Sequence, residues 1–277
     1  MTITVFSFYT LSVAAGPDAD SPGKGQPPVR PAFCETRRIH MEKITTVLFD
    51  LDGTLLPMDQ DLFVKSYFKR LAEKMAPRGY DPEGLIKAVW GGTAAMVQND
   101  GRATNEEVFW DFFSSVYGEK ALKDIPVFQE FYEVEFQEAR QVCGHNPLAA
   151  RSVALCRELG LRRVLATNPL FPSIATESRM RWAGVSPEDF EYYTTYENSV
   201  HCKPNPDYYR DILAHCGLRP QECLMVGNDV SEDMITETLG MKVFLLTDCL
   251  INKEGRDLSG YPRGGFEDLI SYLEKLR

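Results

Sequence analysis

From residue 44 to the C-terminus, short apolar runs alternate with segments of helical period, and this alternation constrains the fold most. The runs at 45–49, 163–167, 223–226 and 243–246 have the length and composition of buried strands, and 192–196 is a further short candidate. Strands joined by helices pair in parallel. The sequence therefore predicts an α/β fold: a Rossmann-like parallel sheet with helices on both faces.

A stretch without a comparable strand interrupts this pattern between about residues 61 and 139. It contains four amphipathic segments, at 62–75, 82–97, 105–116 and 127–139. We therefore predict an all-helical domain at 59–142, inserted into a catalytic core formed by 41–58 and 143–277. Gly91-Gly92-Thr93 breaks the helical pattern, and it fits either a substrate loop, together with Arg102, or an ordinary turn between helices.

The first forty residues differ in composition from the rest of the chain. Residues 16–31 are rich in Gly, Pro, Asp and Ser and show neither helical nor strand period, which is typical of disorder. Residues 3–15 are apolar, but no Lys or Arg precedes them, as the first part of a secretory signal requires. We therefore favour a disordered extension over 1–40 rather than a signal peptide.

Charge and cysteine content indicate which partners and compartment to expect. The formal net charge of −10 argues against a broad surface for nucleic acid or for an anionic membrane. No apolar run approaches the roughly 20 residues needed to span a bilayer. The seven cysteines are scattered and form no C-x-x-C pair, which favours reduced thiols in a cytoplasmic protein.

Polar residues lie where the predicted strands end or where a helix begins. In parallel sheets, ligands bind beyond the carboxyl ends of the strands, so these residues are candidates for one site. The candidates are Asp50, Asp52, Thr167, Asn168, Lys203, Asp229 and Asp233.

The acidic members of this set predict a metal ion. Asp50, Asp52 and Asp229 would bring several negative charges to one sheet edge, at a cost of several kcal/mol in repulsion and desolvation. A hard divalent cation with oxygen ligands removes this cost. Mg²⁺ is the usual ion where phosphate is another ligand.

The same residues are suited to phosphoryl transfer. A carboxylate at such a site can attack phosphorus and form an acyl phosphate. A second carboxylate can protonate the leaving oxygen and then deprotonate the attacking water. Thr167, Asn168 and Lys203 supply hydrogen-bond donors and one positive charge for the phosphoryl oxygens.

Four segments, in this order, resemble the motifs of the haloacid dehalogenase-like superfamily of phosphohydrolases, and the resemblance covers roughly residue 43 to the C-terminus. The segments are Asp50-Leu51-Asp52-Gly53-Thr54, Thr167 with Asn168, Lys203-Pro204, and Gly227-Asn228-Asp229-Val230-Ser231-Glu232-Asp233. The resemblance implies that the helical insertion is a cap of the C1 type, which closes over the site and contacts the substrate.

The resemblance also implies a role for each residue. Asp50 is expected to be the nucleophile, and Asp52 the general acid and base, with its backbone carbonyl on Mg²⁺. Thr167 is expected to bind the transferring phosphoryl group, and Lys203 to neutralise charge on Asp50 and phosphate. Asp229 is expected to bind the metal ion, and Asp233 to support the metal site or Lys203. Asn228 intervenes between Gly227 and the acid, so Asp229 is aligned by its four-residue spacing to Asp233.

These observations predict a Mg²⁺-dependent phosphatase that acts on a small phosphorylated metabolite. A dehalogenase of this superfamily lacks an aspartate two residues after the nucleophile, so Asp52 argues for phosphoryl chemistry. A phosphomutase and a catalytically silent binding protein on the same fold are the alternatives. Release of inorganic phosphate would distinguish the phosphatase from a mutase, and the intact acidic set speaks against a silent protein.

Overall fold

The computed structural model describes residues 43–276. The extension predicted over residues 1–40 lies outside this range. Six parallel strands form one sheet in the order β3-β2-β1-β4-β5-β6. The strands are β1 (Thr46–Phe49), β2 (Arg162–Leu165), β3 (Tyr192–Tyr193), β4 (Cys223–Gly227), β5 (Lys242–Leu246) and β6 (Arg263–Gly264). The predicted parallel α/β sheet is confirmed, and β6 is an edge strand that the sequence pattern did not indicate.

Strand register brings the ends of the central strands to one level. Phe49 at the end of β1 lies opposite Leu165 of β2 and Val226 of β4. The backbone N–H of Asp50 donates to the carbonyl of Val226 at 2.9 Å. The first aspartate of the D-x-D-G-T segment is therefore held at the carboxyl edge by the sheet itself.

Alternate strand residues supply two separate apolar cores, as expected for a sheet that is covered on both faces. Val47 and Phe49 belong to one core, which includes residues of the first, second and last helices of the Rossmann-like part and of the helical insertion. Leu48 and Met225 belong to the other core, on the opposite face. These helices are α5 (Pro147–Glu158), α6 (Ser173–Ala183) and α8 (Phe266–Glu274) in the first core, and α7 (Pro206–Cys216) in the second.

The chain between β1 and α5 is helical, as predicted. It contains α1 (Gln60–Met75), α2 (Pro82–Val97), α3 (Asn105–Tyr117) and α4 (Glu119–Glu133), followed by a 3₁₀ segment at Glu135–Val142. Asp59 and Asp81 cap α1 and α2, and Thr104 forms a capping box with Glu107 at α3. The predicted segment 127–139 is wrong in its bounds, because α4 begins at Glu119 and accommodates Pro126 within the helix.

Gly91, Gly92 and Thr93 do not form a loop or a turn, because all three lie inside α2. The two glycines allow α3 to approach closely. A Cβ on Gly91 would lie 2.4 Å from Cε1 of Phe112, and one on Gly92 would lie 2.6 Å from Cδ2 of Phe109. The break in the helical pattern therefore marks helix–helix packing.

The segment after β4 is also less helical than expected. The sequence over 231–239, which Gly240 would close, predicts a helix, but the structure has a 3₁₀ segment at Met234–Leu239. The Asp229 carboxylate accepts the backbone N–H groups of Ser231 and Glu232, at 2.7 and 3.0 Å, and these bonds favour a turn. Within residues 43–276, no helix is long and apolar enough to cross a membrane.

Candidate active site

Lys203 connects the first and fourth sequence motifs in the interior of the protein. Its Nζ lies 2.8 Å from Oδ1 of Asp50 and 2.7 Å from Oδ1 of Asp233, and the lysine side chain is only 1% exposed. Burial disfavours the ammonium form, but Asp233 and Asp50 outweigh burial and raise the pKa of Lys203 well above its usual value. Lys203 is therefore a buried cation beside the predicted nucleophile.

The second carboxylate oxygen of Asp50 is held from the other side. Thr54 Oγ1 lies 2.9 Å from Asp50 Oδ2 and 2.9 Å from Asn228 Oδ1, and Asn228 Nδ2 donates to the carbonyl of Cys249 at 2.7 Å. Gly53 has a φ of +83°, and a Cβ there would lie 2.4 Å from Asn228 Nδ2. The glycine of the first motif thus permits both the turn and the close approach of Asn228, a residue to which the sequence assigned no role.

Asp52 pairs with an arginine that sequence reasoning missed. Arg179, on α6, is completely buried, and its Nη1 donates to Oδ2 of Asp52. The other oxygen, Oδ1, is buried and has no hydrogen-bond partner in the described part of the chain. Burial raises the pKa of Asp52, and Asp50 adds to this effect, while Arg179 and Lys203 oppose it. Asp52 therefore differs from Asp50 in having an oxygen without a donor.

The second motif contributes mainly backbone and amide contacts. Thr167 is buried two residues beyond the end of β2, and its carbonyl accepts hydrogen bonds from Thr194 Oγ1 and Tyr208 Oη, both at 2.7 Å. The Asn168 side chain accepts from the backbone N–H of Lys203 at 3.3 Å and donates to Glu232 Oε2 at 3.2 Å. The second motif is thereby tied to the third and the fourth.

The fourth motif forms a tight acidic turn. The backbone N–H of Asp229 donates to Oδ2 of Asp233 at 3.0 Å, so Asp233 contacts both this turn and Lys203. Burial, with further contributions from Asp229 and other nearby carboxylates, raises the pKa of Glu232 to about 8 against the opposing effect of Lys203. The sequence assigns Glu232 no role, because a half-buried glutamate cannot be distinguished from an exposed one by sequence.

The helical insertion docks beside the loops that carry these residues. Asn105, at the start of α3, is fully buried, and its Nδ2 lies 3.3 Å from the carbonyl of Pro169 and 3.3 Å from Sγ of Cys202. Its backbone N–H donates to the carbonyl of Ser199 at 2.8 Å. The start of α3 is thus fixed next to the segments that present Asn168 and Lys203.

The donor atoms of the site fit a hard divalent cation, although the geometry is not that of a side-chain cage. Among residues 43–276, no three His, Cys, Asp or Glu side chains form a metal-holding group. The expected set needs only two carboxylates, because Asp52 would contribute its backbone carbonyl. Three carboxyl groups of the site, on Asp50, Asp52 and Asp233, pair with two cations, Lys203 and Arg179, so the carboxyl groups outnumber the positive groups. Mg²⁺ suits oxygen donors and such a charge balance.

Residues 44–236 match the family model described as haloacid dehalogenase-like hydrolase. The chain belongs to this family. The match covers well over half of the sequence, and it confirms the family and the enzyme class predicted from the four motifs.

Individual relatives are distant in sequence. Pyrophosphatase PpaX of Bacillus velezensis is 21% identical over 201 residues, which cover 73% of this chain and 82% of the relative. PpaX of Bacillus cereus is 24% identical over 200 residues, which cover 72% of this chain and 82% of the relative.

Solved structures share the fold with this chain. A HAD phosphatase from Thermococcus onnurineus has a TM-score of 0.53 at 18% identity, covering 83% of this chain and 98% of its own. A 2-haloacid dehalogenase from Pseudomonas syringae has a TM-score of 0.56 at 17% identity, covering 84% and 100%. Both a phosphatase and a dehalogenase are therefore fold relatives, and the reaction has to be inferred from the site.

Proposed function

We propose that this protein is a Mg²⁺-dependent phosphatase, which hydrolyses a small phosphorylated metabolite through an aspartyl-phosphate on Asp50. The observation that carries the proposal is the arrangement of two carboxylates from one motif. Asp50 lies against the buried Lys203 ammonium, and Asp52 keeps one buried oxygen without a donor. A nucleophile and a proton-transfer group need these two different environments.

In the first step, a carboxylate oxygen of Asp50 attacks phosphorus, and the bond between phosphorus and the leaving oxygen breaks. Lys203 donates a hydrogen bond to Asp50 and offsets negative charge that develops on the phosphoryl oxygens. Asp52 donates its proton to the leaving oxygen, which departs as the hydroxyl group of an alcohol or, from pyrophosphate, of inorganic phosphate. The chain now holds an acyl phosphate on Asp50 and a carboxylate on Asp52.

In the second step, water attacks the phosphorus of the aspartyl-phosphate. Asp52 accepts a proton from this water, and the bond between phosphorus and the Asp50 oxygen breaks. Inorganic phosphate leaves, Asp50 is again a carboxylate, and Asp52 is again protonated. Thr167 and Asn168 are proposed to bind the phosphoryl group, and Asp233 to hold Lys203 in place.

The metal ion has a defined place in this proposal. Asp50, the backbone carbonyl of Asp52, and Asp229 would hold Mg²⁺, with Asp233 supporting the site. When bound, Mg²⁺ supplies positive charge that offsets the phosphoryl oxygens and the crowded carboxylates. The excess of acids over cations supports this assignment.

Asp52 favours phosphoryl transfer over dehalogenation. A halide ion leaves without a proton, so a dehalogenase has no use for an acid beside the nucleophile. A phosphate ester has a poor leaving group, and protonating it typically accelerates the reaction about 10²–10⁴-fold. Asp52 is paired with Arg179, and a carboxyl group placed there for proton transfer is useful only if the leaving oxygen needs a proton.

Substrate and setting are proposed from the wider features of the chain. Residues 59–142 are proposed to act as a cap that contacts the substrate, because α3 docks beside the loops of the site. The relatives named as pyrophosphatases make inorganic pyrophosphate one compound to test. The acidic net charge supports small-molecule rather than nucleic-acid or membrane substrates, and the free thiols of residues 43–276 support a cytoplasmic location.

The test uses the purified chain with Mg²⁺ and a panel of sugar phosphates, nucleotides, phosphoglycolate and pyrophosphate. We expect release of inorganic phosphate, loss of activity with excess chelator, and a phosphate label on Asp50 in rapidly quenched enzyme. Asp50→Asn should abolish turnover, whereas Asp257→Asn, an exposed control, should not. A label elsewhere, or full activity without metal, would contradict the proposal, and a phosphorylated isomer in place of free phosphate would indicate a mutase.

A further inference from the structure

We propose that Arg179 is a positioning residue, which holds Asp52 in the orientation required for proton transfer. The inference rests on the proposed function, since it assigns Arg179 to the general acid and base of that reaction. Arg179 lies outside all four sequence motifs, on a helix that follows the second motif.

The pairing itself is asymmetric. Arg179 Nη1 donates to Oδ2 of Asp52, whereas Oδ1 of Asp52 is buried and has no partner among the described residues. An unpaired buried carboxylate oxygen is costly to keep. It is useful at a site where a leaving oxygen or a water molecule has to meet that atom. The salt bridge thus occupies one oxygen of Asp52 and leaves the other without a donor from the described residues.

Arg179 is itself fixed to the Rossmann-like core. Its Nε donates to the carbonyl of Ala175 at 3.2 Å, and its Nη2 donates to Thr176 Oγ1 at 3.3 Å. Its guanidinium carbon lies 4.4 Å from the centre of the Phe171 ring. Because the guanidinium is planar, these contacts set the direction of the remaining Nη1–H group. The orientation of Asp52 is consequently set by α6.

The charge of Arg179 also suits the proton transfer. Asp52 becomes a carboxylate when it protonates the leaving group, and a buried carboxylate needs a cation or donors. Arg179 supplies both in the state that Asp52 reaches after the first step. Loss of Arg179 should therefore affect the transfer of protons by Asp52 more than the attack by Asp50.

The experiment compares two aryl phosphates in the presence of saturating Mg²⁺. p-Nitrophenyl phosphate has a good leaving group, whereas phenyl phosphate depends more on protonation. Arg179→Gln should lower kcat/KM for phenyl phosphate by about 10- to 100-fold, since a misplacement near 1 Å can cost about 10²-fold. The loss for p-nitrophenyl phosphate should be several-fold smaller, and Arg179→Lys should recover part of the activity because it keeps the charge.

A double-mutant cycle shows whether Arg179 acts through Asp52. In an Asp52→Asn background, Arg179→Gln should cost less than about three-fold, because residues that act as a unit are not additive. Arg181→Gln is the matched control, since Arg181 lies on the same helix with its side chain 54% exposed, and should leave both substrates unaffected. If Arg179→Gln does not fold, Arg179→Lys is compared in the same cycle.

The outcomes separate this inference from the proposed function. Arg179 only supports the fold if Arg179→Gln lowers kcat/KM equally for both esters, or by as much in the Asp52→Asn background as in the unmodified protein. Either result would overturn the inference. If Asp52→Asn lowers kcat/KM by the same factor for p-nitrophenyl phosphate and phenyl phosphate, the proposed role of Asp52 fails instead.

Discussion

Lys203→Met tests how much the buried ammonium contributes to both stability and activity. At an effective dielectric constant of about 20, a charge pair at the observed 2.7–2.8 Å attracts by about 6 kcal/mol. Lys203 makes two such pairs, while burying one ammonium costs several kcal/mol. The attraction should therefore exceed the desolvation cost. Methionine fills a similar volume but leaves Asp50 and Asp233 without their cation.

We expect Lys203→Met to lower the free energy of unfolding by about 3–5 kcal/mol, the typical cost of breaking a buried ion pair. Urea denaturation at neutral pH in excess chelator measures this without a contribution from metal binding. Lys69→Met is the control, because the Lys69 side chain is 75% exposed and its pair with Glu73 spans 4.0 Å. Its effect should be below about 0.5 kcal/mol.

A second change identifies the cause of the lost stability. If uncompensated carboxylates are responsible, Asp233→Asn added to Lys203→Met should recover about 1–3 kcal/mol, since it removes one of them. Both variants should lose about 10²–10³-fold in phosphatase activity, because the charge beside Asp50 is absent. A double variant less stable than Lys203→Met, or a single variant within about 1 kcal/mol of the unmodified protein, would refute this reasoning.

Two further predictions concern the helical insertion. Gly92→Ala should lower the melting temperature, because its methyl group would lie 2.6 Å from the Phe109 ring. Such overpacking costs about 1–3 kcal/mol, more than the gain of about 1 kcal/mol in helix propensity. A variant with a higher melting temperature would contradict this packing. Burial disfavours the charge on Asp124, but hydrogen bonds from Arg78 and Lys120 hold its pKa below the usual value. The stabilisation of the fold by the ionised Asp124 should thus be complete above about pH 4, near the pKa of an aspartate in the unfolded chain. It should disappear as the pH falls through the lower pKa of Asp124 in the folded protein. The melting-temperature advantage over Asp124→Asn should vanish at acidic pH, and a constant difference down to pH 3 would argue against this ion pair.

The fold could be predicted from the sequence because the apolar runs and the helix-boundary residues indicated the same order of strands and helices. The β1 and β4 runs are apolar and short. Asn146 followed by Pro147 is a typical helix start and Gly217 a typical helix end, and the structure has Asn146 capping α5 and Gly217 ending α7. Errors arose where long-range contacts override local signals. Gly91 and Gly92 suggested a break, but packing against α3 keeps them inside a helix.

Site prediction from sequence depended on residues that follow strands. Asp50 follows a predicted strand, Lys203 precedes a predicted helix and Asp233 lies four residues beyond Asp229; the structure brings both Asp50 and Asp233 into contact with Lys203. Arg179 carries no such signal, because an arginine within a helix is normally exposed. Only the three-dimensional path of α6 shows that its guanidinium is buried against Asp52.

The two aspartates of the first motif show how environment separates roles that the sequence presents as equivalent. Both oxygens of Asp50 have donors, the Lys203 ammonium and the Thr54 hydroxyl, and these hydrogen bonds fix its position in a way that suits the proposed attack. Asp52 has one paired oxygen and one without a donor, and burial raises its pKa towards the protonated form that a general acid needs. The difference comes from Lys203 and Arg179, which lie more than 100 residues further along the chain. In the proposed reaction, the assignment of nucleophile and acid to the two aspartates therefore follows from which cation each carboxyl group meets.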